Sequence, residues 1–152
     1  MTGIIVTGHG SFATGITSGL KLLAGETECY EAVDFLPEDS IEMLTDKLKA
    51  AIVRLDSCEG ILILADLAGG SPFNVSLRLK LASEKKIEVI GGTNLPVVLD
   101  SYMSRAMIED TARLAASSLS NGREQLILYA PEMSGSRSDD EIEEEDEIEC
   151  ED

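Results

Sequence analysis

Short, nearly continuous apolar runs alternate along the first 130 residues with longer segments whose apolar positions recur every three or four residues. The first kind predicts buried strands, the second amphipathic helices. Residues 3–8 (GIIVTG) form the first run. Phe12, Ile16, Leu20 and Leu23 then share one helical face, and Gly25 stops that helix. Residues 29–35 predict a second strand, less apolar and so near an edge. Ser40 caps a helix whose core face is Ile41, Leu44, Leu48, Ala51, Ile52 and Leu55. Residues 60–66 (GILILAD) are the most apolar run and predict a central strand.

Ser71-Pro72 predicts a further helix, with serine as the cap, proline at the first helical position and Phe73, Leu77 and Leu81 along the buried side. A fourth strand falls at 87–90. Asn94-Leu95-Pro96 opens another helix, with Leu95, Val98, Leu99, Tyr102 and Met103 on one side. The last helix spans about 108–119 and is ended by Asn121-Gly122. Residues 125–130 (QLILYA) predict a fifth strand.

Strands alternating with helices define an α/β fold: a mainly parallel open sheet covered by helices on both faces. Right-handed crossovers narrow the topology, and an order 2-1-3-4 is expected. Such sheets bind ligands outside the carboxyl ends of the strands, where strand order reverses. The loops after strands one, three and four are therefore where chemistry is sought.

The formal net charge is −17, but 11 of the 29 acidic residues fall in 139–152, a stretch with no Lys or Arg. Residues 1–138 carry only −6. The expected organisation is thus one domain over 1–131 and an acidic, disordered tail over 132–152, whose apolar content cannot offset its ordering entropy. Such acidity excludes nucleic acid as a partner class. No run is long and apolar enough to span a bilayer, and no basic-then-apolar leader opens the chain. Cys29, Cys58 and Cys150 are scattered, which fits a reducing cytoplasm and neither a disulfide framework nor a zinc site. No metal or cofactor is expected.

The loop after strand one reads Thr7-Gly8-His9-Gly10-Ser11 and contains the only histidine of the chain. Its glycines free the backbone to turn and leave space around the imidazole. His9 lies just before a helix amino terminus, where unpaired N–H groups and the helix dipole favour an anion. The loop after strand three, Asp66-Leu67-Ala68-Gly69-Gly70-Ser71, also leads into a helix amino terminus, with Gly70 and Ser71 as donors. If strands one and three are neighbours, roughly 5 Å apart, their ends bring His9 and Asp66 together. A carboxylate on one ring nitrogen fixes the tautomer and makes the other nitrogen the nucleophile. Each feature alone has an ordinary explanation, as exposed histidine, turn or helix cap; their convergence at adjacent strand ends marks a site.

Three blocks, IIVTGHGSFATG, DLAGGSPFN and GGTNLP, resemble the enzyme IIA domains of the mannose family of the phosphoenolpyruvate-dependent sugar phosphotransferase system. The similarity covers about residues 3–130. It implies that His9 accepts a phosphoryl group from the phosphocarrier HPr and passes it to an enzyme IIB, which serves sugar entry through membrane components IIC and IID. By motif position His9 is the phosphoacceptor and Asp66 its orienter, while Gly8, Gly10, Gly70 and Ser71 surround the phosphoryl group. It further implies a cytoplasmic homodimer in which strand 125–130 is exchanged.

Two departures stand out. Ser11 and Ala68 are small where some mannose-specific relatives have aromatics, so the resemblance implies no particular sugar among mannose, fructose, sorbose, amino sugars and gluconate. The acidic tail stands where many relatives continue into a IIB domain, so a separate IIB is expected. Alternatives are the phosphocarrier subunit of dihydroxyacetone kinase, whose loop resembles SHS rather than GHG, and a non-enzymatic regulatory module of the same fold. A histidine phosphatase would need an arginine before His9 and a second histidine, and the chain has neither.

Overall fold

The computed structural model describes residues 1–130. The domain boundary expected at 131 and the acidic tail lie outside the described residues. β1 (Thr2–His9), α1 (Phe12–Ala24), β2 (Tyr30–Phe35), α2 (Ile41–Arg54), β3 (Gly60–Ala65), α3 (Ser71–Ala82), β4 (Lys86–Ile90), α4 (Leu95–Ser104) and α5 (Thr111–Glu124) follow in that order. All strand pairs are parallel, and the sheet runs β2-β1-β3-β4. The two most apolar runs are the two inner strands: every residue of β3, and every residue of β1 except His9, is buried. β-Branched side chains suit this environment, because a parallel strand covered on both faces must pack in both directions.

Alternate residues of the strands feed two cores. Ile5, Val33, Ile61, Ile63 and Ile87 meet Leu44, Leu48 and Ala51 of α2 and Val75 of α3. Ile4, Val6, Leu62, Leu64 and Ile90 meet Ala13 and Leu20 of α1, Val97 and Val98 of α4 and Leu114 of α5. Ser40 caps α2 as expected, its hydroxyl accepting from the Met43 amide at 3.1 Å.

Three expectations need correction. Ser71 is the first residue of α3, not its cap; Gly70 holds the cap position and offers no side chain to the helix. The buried side of α3 is Pro72, Val75 and Ser76, with Leu79 packed against the core, while Leu81 is 84% exposed. Apolar residues at 73, 75, 77, 79 and 81 circle this helix, so periodicity alone could not choose a face.

The last helix starts at Thr111, capped by the Asp110 carboxylate on the Arg113 amide (2.9 Å), and runs straight through Asn121-Gly122. Gly122 is there for contact with α4: a Cβ would lie 1.9 Å from Val97 Cγ2, and the Gly122 carbonyl accepts from Asn94 Nδ2 at 3.1 Å. Gly122→Ala is therefore expected to destabilise the fold by about 1–3 kcal/mol through overpacking, in spite of alanine's helix propensity. A lowered urea midpoint with unchanged far-ultraviolet dichroism would show it; a raised midpoint would mean the helices can part at no cost.

The fifth strand is absent from the single chain. Residues 125–130 carry no strand pairing, and Leu126 (87%), Ile127, Leu128 and Tyr129 are exposed. A strand exists only where its N–H and C=O groups find a partner edge, and within one chain this segment meets none.

Candidate active site at the carboxyl ends of β1 and β3

Residues 7 and 65 are in register across β1 and β3, so the loops that leave these strands start side by side. The Asp66 amide donates to Thr7 O at 3.1 Å, which holds the start of the second loop against β1. From there one carboxylate oxygen, Asp66 Oδ2, accepts twice from His9: from its backbone N–H at 2.9 Å and from ring Nδ1 at 2.8 Å. The carboxylate is mostly buried (14% exposed) and the imidazole half-exposed (47%). An ionised carboxylate can only accept, so Nδ1 is the donor in this contact and Nε2 is the ring nitrogen left without a partner. Asp66 Oδ1 is buried with no partner, so His9 is the only hydrogen-bond partner of this side chain among the described residues.

Gly8 makes this approach possible. A Cβ there would sit 2.8 Å from both Cβ and Cγ of Asp66 and 2.5 Å from the Phe12 ring. Its contribution is space for the carboxylate. Gly10 has φ +59°, a conformation natural to glycine, and its amide donates to Phe35 O at 2.7 Å. What Gly10 supplies is the turn, since its N–H is already used. Gly70 touches the ring itself: a Cβ there would lie 2.8 Å from His9 Cε1 and 3.6 Å from Nε2.

The α1 amino terminus, expected to attract an anion beside His9, already holds one. Asp34, at the end of β2, accepts from the Thr14 amide (3.1 Å) and hydroxyl (2.8 Å). The amino terminus of α3 also carries unpaired donors. Its first intrahelical bond runs from Asn74 N to Gly70 O at 2.9 Å, Pro72 has no N–H, and the Ser71 and Phe73 amides have no acceptor among the described residues. Nε2 therefore lies beside Gly70, at a helix start with unpaired donors.

Sequence reasoning missed two neighbours. Phe35 meets the imidazole edge-on, with ring centroids 5.8 Å apart and an interplanar angle of 61°; Asp34 serves α1. Both follow from the β2–β1 register, in which His9 stands opposite Phe35, and that pairing was the available signal. No group of three or more potential metal ligands occurs among the described residues, and no helix there is long and apolar enough to cross a membrane.

A doubly wound parallel sheet with a carboxylate-bound histidine at the ends of its inner strands defines a class of histidine-bearing α/β domains. Comparison with known proteins specifies the class. A model of the family described as "PTS system fructose IIA component" matches residues 3–118. The mannose-specific EIIAB component of Escherichia coli K12 is 36% identical over 121 residues, which is 80% of this chain and 37% of that protein. The sorbose-specific EIIA component of Lacticaseibacillus casei is 33% identical over 97 residues, 64% of this chain and 69% of that one. The crystal structure of phosphotransferase system component EIIA from Streptococcus agalactiae superposes with a TM-score of 0.79 at 33% identity, covering 84% of this chain and 97% of that one. This chain belongs to the mannose/fructose/sorbose-type IIA family of the phosphotransferase system. It spans little more than a third of the length of the E. coli EIIAB component.

Proposed function

We infer that this protein is a phosphohistidine relay in sugar uptake: His9 Nε2 takes a phosphoryl group from HPr and hands it to an enzyme IIB in the cytoplasm, upstream of membrane components IIC and IID. The observation that carries this reading is the 2.8 Å contact of Nδ1 with Asp66 Oδ2, which leaves Nε2 as the free nitrogen beside Gly70. In the forward step the Nε2 lone pair attacks phosphorus, the donor's P–N bond breaks, and the donor imidazole leaves with the electron pair. The His9 ring gains positive character, which the Asp66 carboxylate offsets through the retained Nδ1 proton. The phosphoryl oxygens meet the unpaired amides at the start of α3 and the Ser71 hydroxyl. Transfer to IIB is the same displacement with His9 as leaving group. Positioning and fixed donors suffice for this chemistry.

The reading includes a homodimer. The exposed apolar segment 125–130 supports it, together with the open edge of β4 and a cleft of about 260 Å³ between the end of β4, α4 and α5, lined by Ile90, Val97, Leu119 and Leu126. In a dimer each chain's segment would pair with the partner's β4 edge, bury these side chains and supply the fifth strand.

The test is reconstitution. With phosphoenolpyruvate, enzyme I and HPr, the full chain is expected to take up one acid-labile phosphoryl group, which a purified IIB then removes. Label that leaves only on a dihydroxyacetone kinase subunit would reassign the relay. A chain that takes up no label would be a regulatory module. Sedimentation at two chain masses, lost on deletion of residues 125–130, is the matching result for the dimer.

A further inference from the structure

A pair of cysteines lies at the opposite end of the sheet from His9. Cys29 immediately precedes β2, and its carbonyl accepts from the Ile4 amide at 3.1 Å, which places it beside Gly3 of β1. Cys58 immediately precedes the segment leading into β3, and its Sγ stands over the same glycine: a Cβ on Gly3 would lie 3.0 Å from it. Gly3 thus leaves open the space that the Cys58 sulfur enters, while the Cys29 backbone borders the same glycine from the other flank. Both sulfurs are free; Cys29 is exposed and Cys58 is 5% exposed. Burial pushes the Cys58 thiol up from its ordinary value, and the adjoining Cys29 thiol pushes it further.

The backbone at Cys29 is unusual too. It is the one non-glycine with positive φ among the described residues, at 48°, a conformation that costs an L-residue and persists only where its surroundings enforce it. Here the buried Arg105 enforces it. Its Nη1 donates to Cys29 O (3.0 Å) and Thr2 O (3.1 Å), and its Nη2 to Glu28 O (2.6 Å). The guanidinium is further held over the Tyr102 ring, 4.3 Å from its centroid. A residue pinned in this way presents its thiol from a fixed backbone, beside a second thiol, at the surface.

We propose that Cys29 and Cys58 form a redox-modification site, an accessible thiol and a buried resolving thiol that close into a disulfide over Gly3 when the protein meets a hydroperoxide. Cys29 thiolate attacks the peroxide, the O–O bond breaks, and Cys29 becomes a sulfenic acid with release of water. Cys58 then attacks Cys29 Sγ, the S–S bond forms, and the S–O bond breaks to release a second water. Two thiols and one hydrogen peroxide give one disulfide and two waters. A dithiol reductant reverses it. The site is independent of His9 and stands or falls without the relay.

The experiment treats the reduced full chain with a small excess of hydrogen peroxide, alkylates the remaining thiols and maps the peptides. The expected result is a chain with no disulfide to another chain that has lost two of its three alkylatable thiols, with a Cys29–Cys58 cross-linked peptide and Cys150 still alkylated. Its melting temperature should rise by about 5 °C or more, reversibly with dithiothreitol, because the cross-link closes a loop of about 30 residues in the unfolded chain. In Cys58→Ala, Cys29 should stop at a dimedone-reactive sulfenic acid. A wild-type chain in which Cys58 stays alkylatable while Cys29 oxidises, or in which Cys150 supplies the disulfide partner, would overturn the proposal. That mapping is made on the native protein and does not depend on how the variant folds.

Discussion

His9→Gln is expected to take up no phosphoryl group from phospho-HPr while folding as the wild type does. Glutamine has no nitrogen nucleophilic enough to be phosphorylated, and the described chain offers no second histidine to replace it. The fold should tolerate the change for a local reason. The His9 side chain is half-exposed, and the backbone N–H of residue 9 still supplies Asp66 Oδ2 with a donor at 2.9 Å. The buried carboxylate is thus not left bare, and the stability change should stay within about 1 kcal/mol. Acid-labile labelling at background, with an unchanged melting curve, is the expected pair of readings. Labelling at the wild-type level would move the phosphoacceptor elsewhere in the chain.

Asp66→Asn should slow phosphoryl transfer about 10- to 100-fold, and Asp66→Ala should slow it more. The two substitutions separate charge from geometry. Oδ2 faces two His9 donors, and one of them, the backbone N–H, cannot become an acceptor. An asparagine must therefore turn its oxygen toward residue 9, which keeps Nδ1 protonated and Nε2 free. What it loses is the negative charge opposite the imidazole as positive character develops there. Alanine loses the acceptor as well, and with it the ring orientation beside Gly70. Rapid-quench transfer from phospho-HPr measures both. Equal rates in all three proteins would mean that the contact positions nothing that matters to the reaction. An asparagine variant as slow as alanine would mean that charge is the whole of the effect.

Much of this site could be read from residue order because its parts are local. A glycine-flanked histidine at the end of one apolar run and an aspartate at the end of another are contiguous with the strands that place them. The residues missed were those whose role depends on a neighbour far along the chain. Asp34 looked like part of an edge strand, yet its carboxylate takes the amide and hydroxyl of Thr14 in the first turn of α1. Gly122 looked like a helix stop and is a contact surface, because nothing near it in the chain announces Val97. The face of α3 was misread because apolar residues surround that helix, and only its seat on the sheet selects Val75 over Leu77.

The sequence by itself determined the alternation of strands and helices, the two inner strands and the pairing of His9 with Asp66. These depend on apolar runs, on turn residues and on the rule that parallel sheets gather their loops at one end. Tertiary structure alone decided which ring nitrogen is free, that it lies against Gly70, and why Gly8, Gly10 and Gly70 cannot be exchanged for one another. Those are matters of a few tenths of an ångström and of competing hydrogen-bond partners, and a linear pattern does not encode either. It also decided that residues 125–130 make no strand within one chain: their composition is that of a strand, but a strand needs an edge to pair with.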